Sequence, residues 1–568
     1  MPGSRMDANA KEGRQNALRL WEYFVIAGGF VFLWLLLNRY ALGGPNSSDI
    51  TWYYHVGANN LKETFILNRY FHIFLQKFFV GTQPDPMQGL QFFWSFLLSS
   101  TALMLYLSAR LLSPTSKPWN GILALLLFFS LPAIREISGI PYVDVTAMLM
   151  LSALLFVYVV SANMNHERHF WLLLFGCLLF LGFKTKETIL PGALMVLGFG
   201  LSDRRFSWRL WGKQLLWVLL GVFTGLVILT ALNALLLQDP LFGLRPEDIG
   251  SYMGSYFSNT KMALDASVTE SWIEGFFLPF ASLPVLLYVI SGIQSRDKNS
   301  PNRQFLWLLP LAFIALLTLS INNKWGYQTR FALPVLPIVC TLAAQVLDIP
   351  TKLTLRDKFL LPASIVSGLA LSALFLELPR PSFHLIYAPL LSIALLSLFF
   401  LVKSQKNRGF FLLALLITLL VVPVYENIFS MVREQPNRQA FSRTMTPFTS
   451  FSDYLSFSAD TRLLVDTEIT ASAPLKIQKN EDELFTTYNI VFNANTSRQN
   501  FRLANSMENI SKGILSQDYD FVLLSVETWF KIEKDPSLSQ LLTNEYEHIA
   551  SPDRNYILLV SNGLIPGK

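Results

Sequence analysis

The stretch KQLLWVLLGVFTGLVILTALNALLL occupies residues 213–237 and carries no charged residue after Lys213. A helix needs about 20 mostly apolar residues to cross a bilayer, and this run exceeds that length. The same character extends along the chain, since 52% of its 568 residues are hydrophobic and only 15% are charged. A soluble protein of this length needs far more polar surface, so lipid must surround most of the chain.

Apolar runs of suitable length predict thirteen membrane-spanning helices. They lie near residues 20–40, 91–111, 119–134, 141–162, 169–184, 187–201, 213–237, 274–293, 304–322, 331–348, 358–377, 384–402 and 408–425. The chain is therefore expected to be a mainly α, polytopic membrane protein.

Basic residues test this assignment, because loops on the cytoplasmic side of a membrane collect Lys and Arg. With a cytoplasmic N-terminal tail over residues 1–19, nearly every inside loop carries a basic cluster. The net charge of +6 is thus explained by topology rather than by nucleic-acid binding. The alternation places two long loops, residues 41–90 and 238–273, outside the cytoplasm, and the first contains an amphipathic stretch from Tyr70 to Val80.

The composition changes after the transmembrane domain, which is predicted to cover residues 20–428. In residues 429–568 charged residues and Asn become more frequent and the apolar runs shorten. Three runs are typical of buried strands, and helical segments near residues 499–515 and 534–545 lie between them; the runs are Arg462 to Asp466, Phe521 to Ser525 and Tyr556 to Ser561. This alternation predicts a small α/β domain outside the cytoplasm.

Asp49 stands in the first outside loop, shortly after the first span, and aromatic residues including Tyr53 and Tyr54 follow it. A carboxylate held at the membrane surface can act as a general base toward an acceptor hydroxyl. The alternative is an ordinary loop carboxylate that caps a helix. No Walker-type loop, GxSxG, HExxH or GxGxxG motif accompanies it, and no carboxylate–His cluster has the spacing of a metal site.

Several ionisable residues lie on the predicted outside face or within spans, where the enrichment of basic residues in cytoplasmic loops does not account for them. Cations that converge on one cavity would hold a phosphate, whereas isolated ones would only snorkel into the headgroup layer. Asp144 and Glu187 lie at or inside spans and are expected to pair, Asp144 with Arg135 and Glu187 with Lys184 or Lys186. Structural ion pairs and substrate contacts both remain open for them.

Taken in order, these motifs resemble the GT-C superfamily of membrane glycosyltransferases, in particular bacterial relatives of protein O-mannosyltransferases and of the lipid A aminoarabinose transferase. The matching stretches are Asp49 with Tyr53, Tyr54 and Ala58; Asn68 to His72; Arg135 with Asp144; Gly182 to Glu187; and Thr329 to Pro337. Many relatives have two adjacent acidic residues in the first loop, whereas Ile50 follows Asp49 here. We therefore expect no cofactor or metal to be required.

The resemblance implies that a sugar moves from a polyprenyl-phosphate donor to an acceptor hydroxyl on a protein, lipid or glycan, with inversion at the anomeric carbon. Asp49 would be the general base, and the donor phosphate would be bound by Lys184, Lys186, Arg330 and Arg135. The residues expected to bind substrate are Tyr53, Tyr54, Arg69, His72, Asp144, Glu187 and Tyr327. Such an enzyme would belong to the plasma membrane of a bacterium.

Two functions of other classes stay open. A lipid or sugar transporter would also need many spans and intramembrane charges, although the broken midplane helices and inverted repeats typical of transporters are not evident. A non-catalytic membrane scaffold, with the outer α/β domain as its binding module, is the third possibility.

Overall fold

The computed structural model describes eighteen segments of the chain, and the fold below is that of these residues. They are residues 20–40, 69–82, 86–113, 118–131, 134, 143–163, 168–202, 205–245, 283–294, 305–313, 333–348, 408–433, 451, 461–466, 500–504, 506–516, 518–551 and 554–562. The chain divides into two compact units, one built mostly from Trp94–Met431 and one mostly from Val432–Lys568.

Long apolar helices make up the first part of the chain. In chain order they are α1 (Leu20–Tyr40), α2 (Tyr70–Gly81), α3 (Pro86–Leu112), α4 (Pro118–Phe129), α5 (Val143–Asn163), α6 (Arg168–Phe183), the short α7 (Met195–Gly198), α8 (Trp208–Leu237), α9 (Leu283–Gln294), α10 (305–313), α11 (Leu336–Ala343) and α12 (Arg408–Arg433). A two-stranded hairpin of β1 (Leu201–Ser202) and β2 (Arg205–Phe206) precedes α8.

Most predicted spans that fall within the described residues are helical, and the amphipathic stretch from Tyr70 to Val80 is also a helix, α2. By length and apolar composition, three helices of the described part suffice to cross a membrane: Gly89–Leu112, Val143–Ala162 and Trp208–Leu235. The predicted spans 358–377 and 384–402 lie outside the described residues. The total of thirteen stays a prediction.

The predicted span 187–201 is not one continuous α-helix. Residues Glu187–Leu194 form a 3-10 helix that contains Pro191, and α7 continues from it for only four residues. Proline supplies no backbone N–H and crowds the preceding turn, which disfavours regular α-helix at this point. Only four residues of this predicted span are therefore regular α-helix.

Glycines allow α6 and α8 to pack with their backbones in contact. A Cβ added to Gly221 would lie 2.0 Å from the carbonyl oxygen of Leu173, and one added to Gly176 would lie 2.0 Å from that of Val218. A Cβ added to Gly225, one turn beyond Gly221, would lie 3.1 Å from the carbonyl oxygen of Cys177. Small residues spaced in this way are a common means of bringing membrane helices close together.

Polar contacts join the helices where α3 ends. Arg110 donates to the Glu22 carboxylate of α1 at 2.5 Å, and both residues are buried. Ser113 donates to Asp348 at 3.0 Å, and the Asn120 amide of α4 lies 3.4 Å from the second oxygen of the same carboxylate. Buried polar groups need such partners, so these bonds fix the relative position of α3, α4 and the segment after α11.

The second part of the chain contains a five-stranded mixed sheet. Its strands are β3 (Leu463–Asp466), β4 (Phe501–Ala504), β5 (Phe521–Ser525), β6 (Tyr546–Ala550) and β7 (Tyr556–Ser561), in the spatial order β4-β3-β5-β7-β6. β3 runs parallel to β4 and β5, whereas β7 runs antiparallel to β5 and β6. The connecting helices are α13 (Met507–Ser516), α14 (Val526–Glu533) and α15 (Pro536–Glu545).

The apolar runs of this region are its central strands. β3 is buried along its whole length, as are the first four residues of β5, because a parallel centre is covered on both faces. The predicted helix 499–515 is wrong in its first part, since Phe501–Ala504 pairs in register with β3. The helix begins only at Met507, where the Ser506 hydroxyl accepts from the Asn509 amide at 3.2 Å.

We expect Gly221→Leu to lower the thermal unfolding midpoint of the detergent-purified protein strongly, because its side chain would collide with a backbone carbonyl of α6. Forced overpacking costs about 1–3 kcal/mol. Gly212→Leu is the matched control on the same helix, since a Cβ there meets nothing within 4 Å. Equal midpoints for the two variants would show that the glycine contact does not hold α6 against α8.

Candidate functional site

Four consecutive residues from the end of α6 to the first residue of the 3-10 helix, Lys184 to Glu187, form the centre of the candidate site. The backbone amides of Thr185 and Lys186 both donate to the Gly182 carbonyl, at 2.9 Å each, so the chain turns tightly as α6 ends. This turn buries both lysines, which are 5% and 4% exposed. We refer to Lys184 to Glu187 as the connector.

Lys186 forms an ion pair with Asp144 in the first turn of α5. Asp144 is 1% exposed, so both partners have left water almost completely. Such a pair persists only because each charge compensates the other, and removing one partner leaves an uncompensated charge. Within the described residues, the Asp144 Oδ2 atom accepts no hydrogen bond.

Glu187 extends to a different helix from its neighbour. Its carboxylate receives two hydrogen bonds from Arg69, one from Nη1 to Oε2 at 2.7 Å and one from Nη2 to Oε1 at 3.2 Å. Arg69 directly precedes α2, and this forked geometry is the strongest form of an arginine–carboxylate contact. Two adjacent residues of the connector are thereby tied to two separate helices, α5 and α2.

His72 lies between these helices and is completely buried. Its Nδ1 atom is 2.7 Å from the Thr146 hydroxyl of α5. Burial is the main cause that lowers the pKa of His72 to about 3, and the positive charges of Arg69 and Lys186 contribute to this decrease. The imidazole is therefore neutral at physiological pH.

Lys184 contacts the beginning of the second outside loop. Its Nζ donates to the Gly243 carbonyl at 3.0 Å, and the Asn233 amide of α8 donates to the Phe242 carbonyl at 2.9 Å. Gly243 has a φ of 72°, a backbone conformation that residues other than glycine rarely adopt. The Tyr70 ring lies against this turn, 5.7 Å from the Phe242 ring in an edge-on arrangement.

The structure brings six of the sequence-predicted site residues into one buried cluster. They are Arg69, His72, Asp144, Lys184, Lys186 and Glu187. Six others lie outside the described residues, namely Asp49, Tyr53, Tyr54, Arg135, Tyr327 and Arg330. Their roles stay predictions.

The predicted ion pairing within the cluster is wrong for Glu187. Its partner is Arg69, because Lys184 turns toward Gly243 and Lys186 toward Asp144. Asp144 was expected to pair with Arg135, and the described partner is Lys186. Consecutive residues at this turn point in different directions, so nearness in sequence does not decide which charges meet.

Sequence reasoning missed three members of the cluster: Thr146, Asn233 and Gly243. Asn233 carried a signal, since it is the one carboxamide in the middle of the apolar run 215–237 and polar groups at membrane depth usually meet a partner. Thr146 and Gly243 carried none. In the described residues, no group of three or more His, Cys, Asp or Glu is arranged to hold a metal ion.

Among the described residues, the cluster contains three cations and two carboxylates, with a neutral imidazole beside them. Arginine and lysine are the usual protein contacts of phosphate. The arrangement can therefore accept a phosphate beside the start of α2.

We expect stability to fall as the pH drops below 6.5, because unfolded His72 binds a proton there and folded His72 does not until about pH 3. The loss from this group is about 1.4 kcal/mol for each pH unit in that window. His72→Asn should reduce the decrease in thermal midpoint between pH 6.5 and 5.5. The control variant His548→Asn, which alters an exposed ring, should leave this decrease in thermal midpoint unchanged. Unchanged pH dependence in His72→Asn would contradict this assignment.

Comparison with solved structures identifies the fold. ArnT from Cupriavidus metallidurans bound to undecaprenyl phosphate is similar to this chain with a TM-score of 0.54 and 12% sequence identity, over 97% of this chain and 100% of ArnT. The apo form of ArnT gives a TM-score of 0.52 at 13% identity, over 96% of this chain and 99% of ArnT.

No family model and no curated protein matches the sequence. The likeness is thus carried by the arrangement of the helices, over nearly the full length of both chains. The chain therefore shares the fold of ArnT over nearly the full length of both proteins.

Proposed function

We propose that the chain is a membrane glycosyltransferase that moves a sugar from a polyprenyl-phosphate donor to an acceptor hydroxyl outside the cytoplasm. The observation that carries this proposal is the full-length likeness to ArnT, which was solved with undecaprenyl phosphate bound. A cluster of three cations, built from residues that the sequence motifs single out, supports the same conclusion. The acceptor is a protein, lipid or glycan.

The proposed reaction is a single displacement at the anomeric carbon of the donor sugar. The acceptor oxygen forms a bond to this carbon while the bond from the carbon to the phosphate oxygen breaks. Asp49 takes the proton of the acceptor hydroxyl, and polyprenyl phosphate leaves with the electron pair of the broken bond. One base and one good leaving group imply inversion, and the scheme requires no metal.

The cations of the cluster stabilise the leaving group in this scheme. Negative charge grows on the phosphate as the bond breaks, and charges fixed in advance in a site with little water are usually the largest catalytic contribution. An ammonium has three donors, so the ion pair of Lys186 with Asp144 does not prevent contact with a phosphate oxygen. Arg330 and Arg135 are proposed to complete the phosphate site, and Tyr53, Tyr54 and Tyr327 to bind substrate.

The connector has a positioning role in this proposal. It ties Lys186 to α5 and Glu187 to α2, so the cations are held at fixed distances before the donor arrives. Losing about 1 Å of this placement is enough to slow a reaction substantially. The bidentate contact also uses both outer nitrogens of Arg69, which assigns this residue to holding the site together.

We expect Asp49→Asn to abolish transfer while the protein still inserts and purifies normally. The assay measures polyprenyl phosphate released from a polyprenyl-phosphate sugar in the presence of acceptor. Release coupled to product separates a transferase from a transporter or a scaffold. The control is Glu508→Gln, at an exposed carboxylate of α13. EDTA should leave the parent rate unchanged, and transfer by Asp49→Asn at that rate would rule out Asp49 as the base.

We expect substitutions in the Lys186–Asp144 pair to have different effects on thermal stability and on the kinetics of donor use. Lys186→Met and Asp144→Asn alone should each lower the thermal midpoint, because a broken buried pair costs about 3–5 kcal/mol. The double variant should recover much of this stability, since neither charge remains. Its kcat/KM for the donor should stay about a hundredfold below the parent, as expected for one lost phosphate contact.

The double variant decides between the two roles of Lys186. If it regains both stability and donor kinetics, the ion pair is purely structural and Lys186 does not bind the donor phosphate. The Gly212→Leu variant provides the reference for a substitution elsewhere in the transmembrane part, since its side chain enters open space.

A further inference from the structure

The protein covers much less of helix α8 than of α5 or α3. Only 22% of the most apolar window of α8 is buried, compared with 78% for α5 and 67% for α3. One face of α8 contacts α6 through Gly221 and Gly225, and much of the opposite face is exposed. In a membrane protein such a face meets the acyl chains of lipids.

Two exposed cations begin this uncovered face. Arg209 and Lys213 are four residues apart, so their side chains lie one above the other on the helix. The same helical spacing continues with exposed apolar side chains and gives one straight stripe: Arg209, Lys213, Leu216, Leu220, Phe223 and Val227. We call these six residues the α8 stripe.

The stripe has the layout of a phospholipid molecule. The rise from Lys213 to Phe223 is about 15 Å at 1.5 Å per residue, which is half of a hydrocarbon core about 30 Å thick. A phosphate held at the two cations would therefore place its acyl chains along the apolar part. The cations also lie at the helix end that the loop charges predict to be cytoplasmic, where anionic lipids are enriched.

Aromatic rings lie beside the cationic end of the stripe and pack against one another. Trp208 is 74% exposed. The centroid of its ring is 4.8 Å from that of Phe206 and 5.7 Å from that of Trp211, and both contacts are edge-on. Trp211 is fixed in turn, because its indole N–H donates to the Val196 carbonyl at 3.2 Å. Exposed Trp beside basic residues is typical of the membrane interface.

Helix α6 contributes a second edge to this end. Arg168 donates to the Gln214 side chain of α8 at 3.3 Å, and the His169 ring is stacked on Trp217 with centroids 4.7 Å apart. Phe170 beside them is exposed. The cationic end of the stripe is thus bordered by side chains of fixed orientation.

We propose that the α8 stripe binds an anionic phospholipid of the bilayer, with the lipid phosphate at Arg209 and Lys213 and the acyl chains along Leu216 to Val227. This site is separate from the connector cluster, since none of its residues belongs to that cluster. Arginine binds a phosphate in a bidentate manner and lysine binds it as a point charge, so the pair accepts a headgroup that carries net negative charge.

The test measures lipid binding by native mass spectrometry of the detergent-purified full-length chain, with phosphatidylglycerol and phosphatidylcholine as probes. We expect the parent chain to retain phosphatidylglycerol preferentially. The variant Arg209→Gln/Lys213→Gln should lose this preference, by about fivefold for each cation removed. The charge-matched control is Lys512→Gln/Lys531→Gln, at exposed lysines of α13 and α14.

Several outcomes would overturn the proposal. Parent-like phosphatidylglycerol binding in Arg209→Gln/Lys213→Gln would show that these cations do not hold the headgroup. An equal loss in the control would indicate a general charge effect. Binding of inorganic phosphate as tight as that of the lipid would remove the role of the apolar stripe. A dimer in which the stripe is protected from modification would assign it to a second copy of this chain instead.

Folding can be checked separately, because all four substituted side chains are exposed. The thermal midpoints of both double variants without added anionic lipid should match the parent. With phosphatidylglycerol present, the midpoint should rise for the parent and the control, and not for Arg209→Gln/Lys213→Gln. A rise of equal size in all three would contradict the proposed site.

Discussion

The ion pair between Lys186 and Asp144 is the interaction on which the organisation of this protein's centre depends. Both charges are almost fully removed from water, and neither would be tolerated there alone. The pair fixes the connector on α5, and the next residue, Glu187, fixes it on α2 through Arg69. Two adjacent residues therefore determine how three separate parts of the chain meet. Everything proposed about phosphate binding uses this fixed frame, since a cation acts on a developing charge only if it is already in place.

Helices α6 and α8 are held together by close backbone contact. Gly176 and Gly221 let α6 and α8 touch through their backbones, which places the end of α6, and with it the connector, at a defined height beside α8. Lipid tails are as apolar as leucine, so helices in a bilayer gain little from burying apolar surface and must gain from fit. The glycine contact supplies such fit on one side of α8, and the exposed stripe is left for the lipid on the other.

Sequence patterns predicted the described helices well because each span is a long and uniformly apolar run. The run that begins at Lys213 corresponds to α8, and the runs that contain β3, β5 and β7 are strands, since length separates a span of 20 residues from a strand of five. The pattern failed where local chemistry overrides it: Pro191 breaks the span 187–201 into a 3-10 segment, and Phe501–Ala504 is a strand because β3 offers it a partner. In the site, composition indicated which charges belong together, namely Arg69, Asp144, Lys186 and Glu187. It did not give their pairing, which depends on the directions that side chains take after a turn.

The tether between Lys184 and Gly243 has a practical consequence for spectroscopic work. The bond crosses 59 residues of sequence, and it anchors the first part of the second outside loop to the end of α6. Glycine at 243 cannot be exchanged without strain, and the Tyr70 ring fills the space beside it. A fluorophore or spin label attached within residues 238–245 would thus report on the rigid scaffold and could serve as the fixed reference for distance measurements during turnover.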